Sequence, residues 1–203
     1  MDFINKLSLT GEQKKYLNKL NRRIKNVMPE KLYKHSMNTL EFANDIAEKT
    51  FSNLDLFGLS VACILHDYGK IFSYEELVEI VKKNKLKVSD FELNNPEMLH
   101  SFIGDYLVSR DFNIYEKKIL KSIKFHTIGY CDMRTEDKIL FISDKIEKGR
   151  IYKGVECLRE SAFKNLNLCL LEIYKNTMIY IVKGNKLLHP DTSKIWNNIC
   201  GGI

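Results

Sequence analysis

The chain has 203 residues, is 44% hydrophobic and 11% aromatic, and carries a formal charge of +6, which is enough apolar material for a core within one domain. No apolar run approaches the ~18 residues of a membrane span, and the polar opening MDFINKLSLTGEQKKYLNKL lacks the apolar stretch of a signal peptide, so the expectation is a soluble, cytoplasmic protein without a membrane partner. The basic residues are dispersed and the densest run is KKNKLK at 82–87, which argues against nucleic acid as the partner. Five widely spaced cysteines without a C-x-x-C signal neither a disulfide framework nor a zinc ribbon.

Three prolines and ten glycines leave little material for β-turns, whereas helical apolar spacing recurs along the chain, predicting an all-α fold. Tyr16, Leu17, Leu20, Ile24 and Val27 make a first amphipathic helix, and Pro29 stands where a second begins, carrying Leu32, Ser36, Leu40, Ala43 and Ala47 inward. A third runs from about Asp55 to His66, closed by Gly69 in a left-handed conformation. Ser73 with Glu76 reads as a capping box opening a fourth; Pro96 starts a fifth through Leu107; Asn113 with Glu116 opens a sixth; and Thr135 caps a seventh. One or two long helices fill about Gly154 to Lys183, stopped by Gly184, before a closing segment.

His35 borders the apolar stripe of its helix. His100 keeps helical spacing with Ile103 and Leu107, His126 with Ile119 and Ile123, and Asp144 with Ile139 and Leu140. His66 and Asp67 end the third helix side by side. Singly, each has a plain structural explanation as a satisfied core histidine or a capping carboxylate. Together, four of the five histidines and two carboxylates converge on one core, and such groups offset each other's desolvation by binding a cation. Adjacent His66 and Asp67 leave a helix end in different directions, so one ion can take the imidazole while Asp67 bridges to a second. The donor set suits iron, manganese, cobalt or zinc.

The ordered pattern His35, His66-Asp67, His100, His126, Asp144 resembles the HD-domain metal-dependent phosphohydrolases. The blocks MPEKLYKHSMNTLEFA, ILHDYGK, MLHSFIGDYL, IKFHTIG, KILFISDKIEKGR and NTMIYIVKGNKLLHP are similar to the bacterial YqeK family, the symmetrical diadenosine tetraphosphate hydrolases, over roughly Met28 to Pro190. That resemblance implies a helical HD bundle around a dinuclear centre, usually iron, in a domain at 27–203 preceded by an N-terminal amphipathic helix extension at 1–26. It also implies that His35, His66, Asp67 and Asp144 hold one metal and His100 with His126 the other, with Asp67 shared.

Lys70, from the family's HD-x-x-K, and Arg150, closing its D-x-I-E-x-G-R stretch, are the candidate phosphate contacts. The family pattern differs in carrying proline where Lys148 stands, a basic residue where Tyr130 stands and alanine where Gly69 stands. The difference at Tyr130 bears on how the far end of a nucleotide is held.

The expected reaction is cleavage of diadenosine tetraphosphate to two ADP by a metal-bound hydroxide, with Asp67 and Lys70 at the reacting centre. No G-x-S-x-G and no Walker loop points elsewhere. Two alternatives stay open: a phosphohydrolase of nucleoside mono- or triphosphates, and a non-catalytic nucleotide-sensing protein with an idle metal site. The expected partner is a dinucleoside polyphosphate or other nucleotide, and a homodimer is left open. His189, outside the ligand set, reads as a surface or capping residue in preference to a pocket-edge contact.

Overall fold

Helical spacing in nearly every segment leaves no place for strands, and the computed structural model, which describes residues 2–202, is helical throughout. A short α1 (Asp2–Lys6) precedes α2 (Gly11–Val27), which opens on a reciprocal capping box between Thr10 and Gln13 and buries Leu17, Leu20 and Ile24. Tyr16 and Val27, expected on the same inner face, are largely exposed. The helix α3 (Glu30–Thr50) begins directly after Pro29 and turns Ser36, Leu40, Ala43 and Ala47 inward. The helix α4 (Leu56–Leu65) is capped by Asp55, whose carboxylate accepts from the Gly58 amide, and every residue from Gly58 to Leu65 is buried.

A 3-10 turn at Tyr68–Ile71 follows, and here the sequence expectation fails. Gly69 is not left-handed; it lies inside the turn. Glycine is required for another reason: a Cβ there would sit 2.4 Å from the carbonyl oxygen of His100. The Ser73–Glu76 capping box opens α5 (Tyr74–Asn84) as expected, a device whose cap residue is worth about 1 kcal/mol. A second such box, Ser89 with Glu92, opens the four-residue α6 (Asp90–Leu93), which the sequence reading did not include.

The expected fifth helix is two helices, α7 (Pro96–Phe102) and α8 (Gly104–Phe112), broken at Ile103 with φ −110° and ψ 7°. At the break the Gly104 backbone comes so close to α9 (Lys117–Phe125) that a Cβ would lie 3.0 Å from Ile123 Cγ2. Asn113 does not cap α9. It closes α8 in the left-handed region at φ 56°, and Glu116 takes the capping position of α9. Thr135 likewise is the first residue inside α10 (Thr135–Ile146), and the Asp137 carboxylate accepts from the backbone amide and the guanidinium of Arg134 at its start. Two helices, α11 (Val155–Lys164) and α12 (Leu166–Lys183), occupy the long segment before Gly184, and α13 (Thr192–Gly201) closes the chain.

Packing places α3 against both α4 and α10, and α4 in turn against α9 and α2. The helix α7 packs on α9 and on the 3-10 turn. The inner ends of these helices therefore meet, bringing the residues expected at a metal centre to one point. Ile4, Leu7, Leu17, Leu20 and Ile24, from α1, α2 and the turn between them, belong to the same buried cluster as the residues of α3 to α10. No helix among the described residues is long and apolar enough to cross a membrane, and all five cysteines are free.

Candidate metal centre

The site begins with two helix ends. The last carbonyls of a helix lack partners within it, and a histidine at the C-cap can supply one. His66, ending α4, donates from Nδ1 to the Cys63 carbonyl at 2.9 Å, and His126, ending α9, donates from Nδ1 to the Ile123 carbonyl at 2.7 Å. A carbonyl only accepts, so each ring keeps its Nδ1 proton and turns Nε2 inward. His35 on α3 is held by another acceptor: Glu147 Oε1 takes its Nδ1 at 3.1 Å. Ligating histidines are oriented by such outer partners.

Asp67, buried at the N-cap of the 3-10 turn, occupies the middle of the group. Its Oδ1 lies 3.3 Å from Nε2 of both His100 and His126. Its Oδ2 lies 3.5 Å from His66 Nε2, 3.6 Å from His35 Nε2 and 2.7 Å from Lys70 Nζ. Asp144 on α10 completes the second side, with Oδ1 2.9 Å from His35 Nε2 and 3.7 Å from His66 Nε2. The ligating atoms of His35, His66 and Asp144 lie within 4.8 Å of one another, as do those of His66, Asp67 and His126. The six residues anticipated from sequence thus converge, split by the two oxygens of Asp67 into a His35, His66, Asp144 side and a His100, His126 side.

Electrostatics follow from burial and this crowding. Burial alone would lower the His66 pKa, but Asp67 and Asp144 outweigh it and push it up to about 9. His126, farther from Asp144 and fully enclosed, is driven by burial down to about 4. Burial would raise Asp67, yet His66, His100 and His126 hold it well below the usual carboxylate range. Asp144 is held low in the same way, by Lys145, His35 and His66 against its burial.

Both cations proposed from sequence stand at the rim. Lys70 is 42% exposed at the side chain and bonds Asp67 Oδ2, while Arg150, 41% exposed, reaches Asp144 Oδ1 at 3.2 Å and the Asp144 carbonyl at 3.0 Å. Two residues of the site escaped sequence reasoning. Glu147 is one, although it lies inside the very D-x-I-E-x-G-R stretch that drew attention to Arg150. Lys145 is the other: its ammonium joins the two sides, donating to Asp144 Oδ2 at 2.9 Å and to the His126 carbonyl at 3.1 Å. Its only sequence signal is adjacency to Asp144.

The remaining positions lie apart from the ligands. Tyr130 donates to the buried Asp137, which also accepts from Ser122 and Arg134, and Lys148 pairs with Glu41. His189 is buried, which corrects the surface reading: its Nδ1 accepts from the Asp191 amide at 3.1 Å, its ring stacks on Phe102, and it borders a cavity.

The HD domain family model matches residues 32–149, a span that contains all six converging residues. The chain belongs to the HD-domain family. It is 32% identical over 179 residues to the symmetrical bis(5'-nucleosyl)-tetraphosphatase of Bacillus subtilis (strain 168), covering 88% of this chain and 95% of the relative. The enzyme of the same description from Halalkalibacterium halodurans is 31% identical, with 87% and 92% of the two chains covered. Among solved structures, one from Clostridium acetobutylicum, described as a predicted HD superfamily hydrolase involved in NAD metabolism, superposes with a TM-score of 0.84. It is 31% identical, with 92% of this chain and 97% of that chain covered. HD-domain membership implies divalent metal, and the residues fit one. Asp67 Oδ1, His100 Nε2 and His126 Nε2 are buried without a hydrogen-bond partner, a costly state that a shared cation relieves. On the other side, His35 Nε2 and His66 Nε2 lie 3.3 Å apart with their Nδ1 atoms committed to Glu147 and the Cys63 carbonyl, so the remaining nitrogens of both rings face one point beside Asp144 Oδ1.

Proposed function

We propose that this HD-domain protein is a metal-dependent hydrolase that cleaves diadenosine tetraphosphate symmetrically, taking up one water and releasing two ADP. The observation that carries the reading is the division of labour within Asp67, whose two oxygens face separate imidazole sets. The kinship with symmetrical bis(5'-nucleosyl)-tetraphosphatases supplies the substrate.

In this reading His35, His66, Asp67 and Asp144 hold one ion, and Asp67, His100 and His126 hold the other. Two ions there would supply Lewis acidity and an acidified water. The chain's own residues do the rest. Backbone carbonyls and Glu147 fix the tautomers of His66, His126 and His35, so the donor nitrogens are set before any ion or substrate arrives. Lys70 and Arg150, half-exposed on the rim, meet the polyphosphate and neutralise the charge that collects on the departing ADP oxygen. Lys145 braces Asp144 against the His126 end of α9 and keeps the two halves at constant separation. Iron is the preferred metal, with manganese, cobalt and zinc compatible with the same donors.

The test is direct. Metal-depleted protein, reloaded with iron or manganese, is incubated with diadenosine tetraphosphate and the products are separated by ion exchange; ADP alone is expected. ATP with AMP would overturn the symmetrical cleavage, and turnover of mononucleotides with the dinucleotide untouched would overturn the substrate.

A further inference from the structure

A cavity of about 730 Å³ opens beside the metal centre, between the start of α7, the residues after α9, and α12 with the segment that follows it. None of the six converging residues lines it, but its wall adjoins them in two places. Thr127 directly follows His126, and Phe141 lies under the Lys145 ammonium, which is 4.0 Å from the ring centre. That same ammonium bonds Asp144 Oδ2 and the His126 carbonyl, so one side chain separates the cavity wall from the ion ligands.

The chemistry of the walls is specific. Phe141 and Tyr174, stacked with ring centres 6.0 Å apart and almost fully buried, form the floor, and the part-buried Met178 offers polarisable surface above it. Asn95 adds an amide: it holds the N-cap position of α7, yet its side chain makes no capping hydrogen bond. The volume falls in the range of small-molecule sites, and the combination of apolar walls with a few amides suits a purine, whose edge an amide side chain can bond through N6 and N7. A symmetrically cleaved dinucleotide must send one nucleoside to each side of the scissile phosphates, so a seat for a base next to the ions is a requirement of the reaction itself.

We infer that this cavity seats one adenosine of the substrate, with Asn95 reading the base edge and Met178 packing on its face. The inference rests on the function proposed above. Two measurements on the full-length, metal-loaded protein separate them. Turnover of diadenosine tetraphosphate by the unaltered protein tests the function alone. Photolabelling of that protein with 8-azido-ADP, followed by peptide mapping, tests the cavity whether or not turnover occurs: label is expected on residues 94–98 or 166–187, and label confined elsewhere would overturn the seat.

Met178→Trp, which fills the cavity, should raise KM for the dinucleotide by about tenfold or more while kcat changes little. Ile179→Trp, on the exposed neighbouring position outside the cavity, should leave KM unchanged. Asn95→Ala provides a mild second variant and should raise KM severalfold. An unaltered KM in folded Met178→Trp and Asn95→Ala proteins would place the nucleoside elsewhere.

Discussion

Glu147 holds His35 from behind: its Oε1 accepts from His35 Nδ1 at 3.1 Å, and the opposite ring nitrogen thereby faces Asp144 Oδ1 at 2.9 Å. The other oxygen of Glu147 takes the Gly149 amide, so the carboxylate is fixed at both ends. Glu147→Ala should lower metal affinity about 10–100-fold, the usual cost of losing such a partner, while Glu147→Gln, which keeps an acceptor, should lose less. Metal titration of both variants checks this, and equal affinity in all three proteins would deny Glu147 its orienting part.

Asp67 and His100 should differ in the number of ions they control. Elemental analysis of purified protein should find about two metal ions per chain, none in Asp67→Ala and about one in His100→Ala. A protein that takes up no metal under any loading condition would end the dinuclear assignment.

Removal of metal should destabilise the fold, because the buried atoms of Asp67, His100 and His126 then lack a partner. At a hundred times the dissociation constant, binding adds ~2.7 kcal/mol, which for a chain of this size moves Tm upward by about 5–10 °C. Differential scanning calorimetry in chelator and in excess manganese reads the shift, and identical melting curves would mean that the ligands do not share an ion.

Lys70→Ala should lower kcat by about a hundredfold, in the range seen when a single group stabilising developing charge is deleted. Bound metal should stay near two ions, since the ammonium contributes no donor. Parallel losses of turnover and metal would instead reduce Lys70 to a brace for Asp67.

Tyr68 ties the 3-10 turn carrying Lys70 to the end of α8, donating its hydroxyl to Asp111 Oδ2 at 3.0 Å. Burial and the Asp111 charge push the phenol up to about 12, so its contribution to stability is full below the ordinary value of ~10 and is lost as pH rises through about 12. Burial would raise Asp111, but hydrogen bonds from Arg110 and Tyr68 outweigh it and lower its pKa. That contribution is therefore present above ~3.9 and lost as pH falls through the depressed folded value. Urea unfolding of Tyr68→Phe across pH should show both limbs flattened relative to the parent protein, and superimposable pH profiles would contradict the coupling.

The six converging residues were legible because each lies on or beside an apolar stripe whose period is set by the helix itself, so an inward imidazole or carboxylate announces its direction. Glu147 was not, because it falls at the C-cap of α10 where the stripe ends, and periodicity is silent there. Asn113 misled for a chemical reason: asparagine suits both a helix N-cap and a left-handed C-cap, and only the packing of α8 decides between them. The break at Ile103 lies within an unbroken apolar pattern and depends on how closely Gly104 approaches Ile123. The N-terminal helix was legible as amphipathic, but its buried stripe is narrower than the apolar pattern and leaves Tyr16 and Val27 at its exposed edges.

Gly69 acts as a spacer of zero thickness. It lies two residues from Asp67, and its bare Cα leaves the backbone of the turn resting on the peptide that carries His100. A methyl group inserted there must push the turn and α7 apart, and those are the two pieces of backbone that carry Asp67 and the His100 imidazole facing it. The gap available to an ion between Asp67 and His100 is thus gauged by a residue that donates nothing to it. A chain with alanine in this place needs a compensating retreat of α7 to keep the same bite, which makes position 69 a mechanical dial on the width of the metal centre.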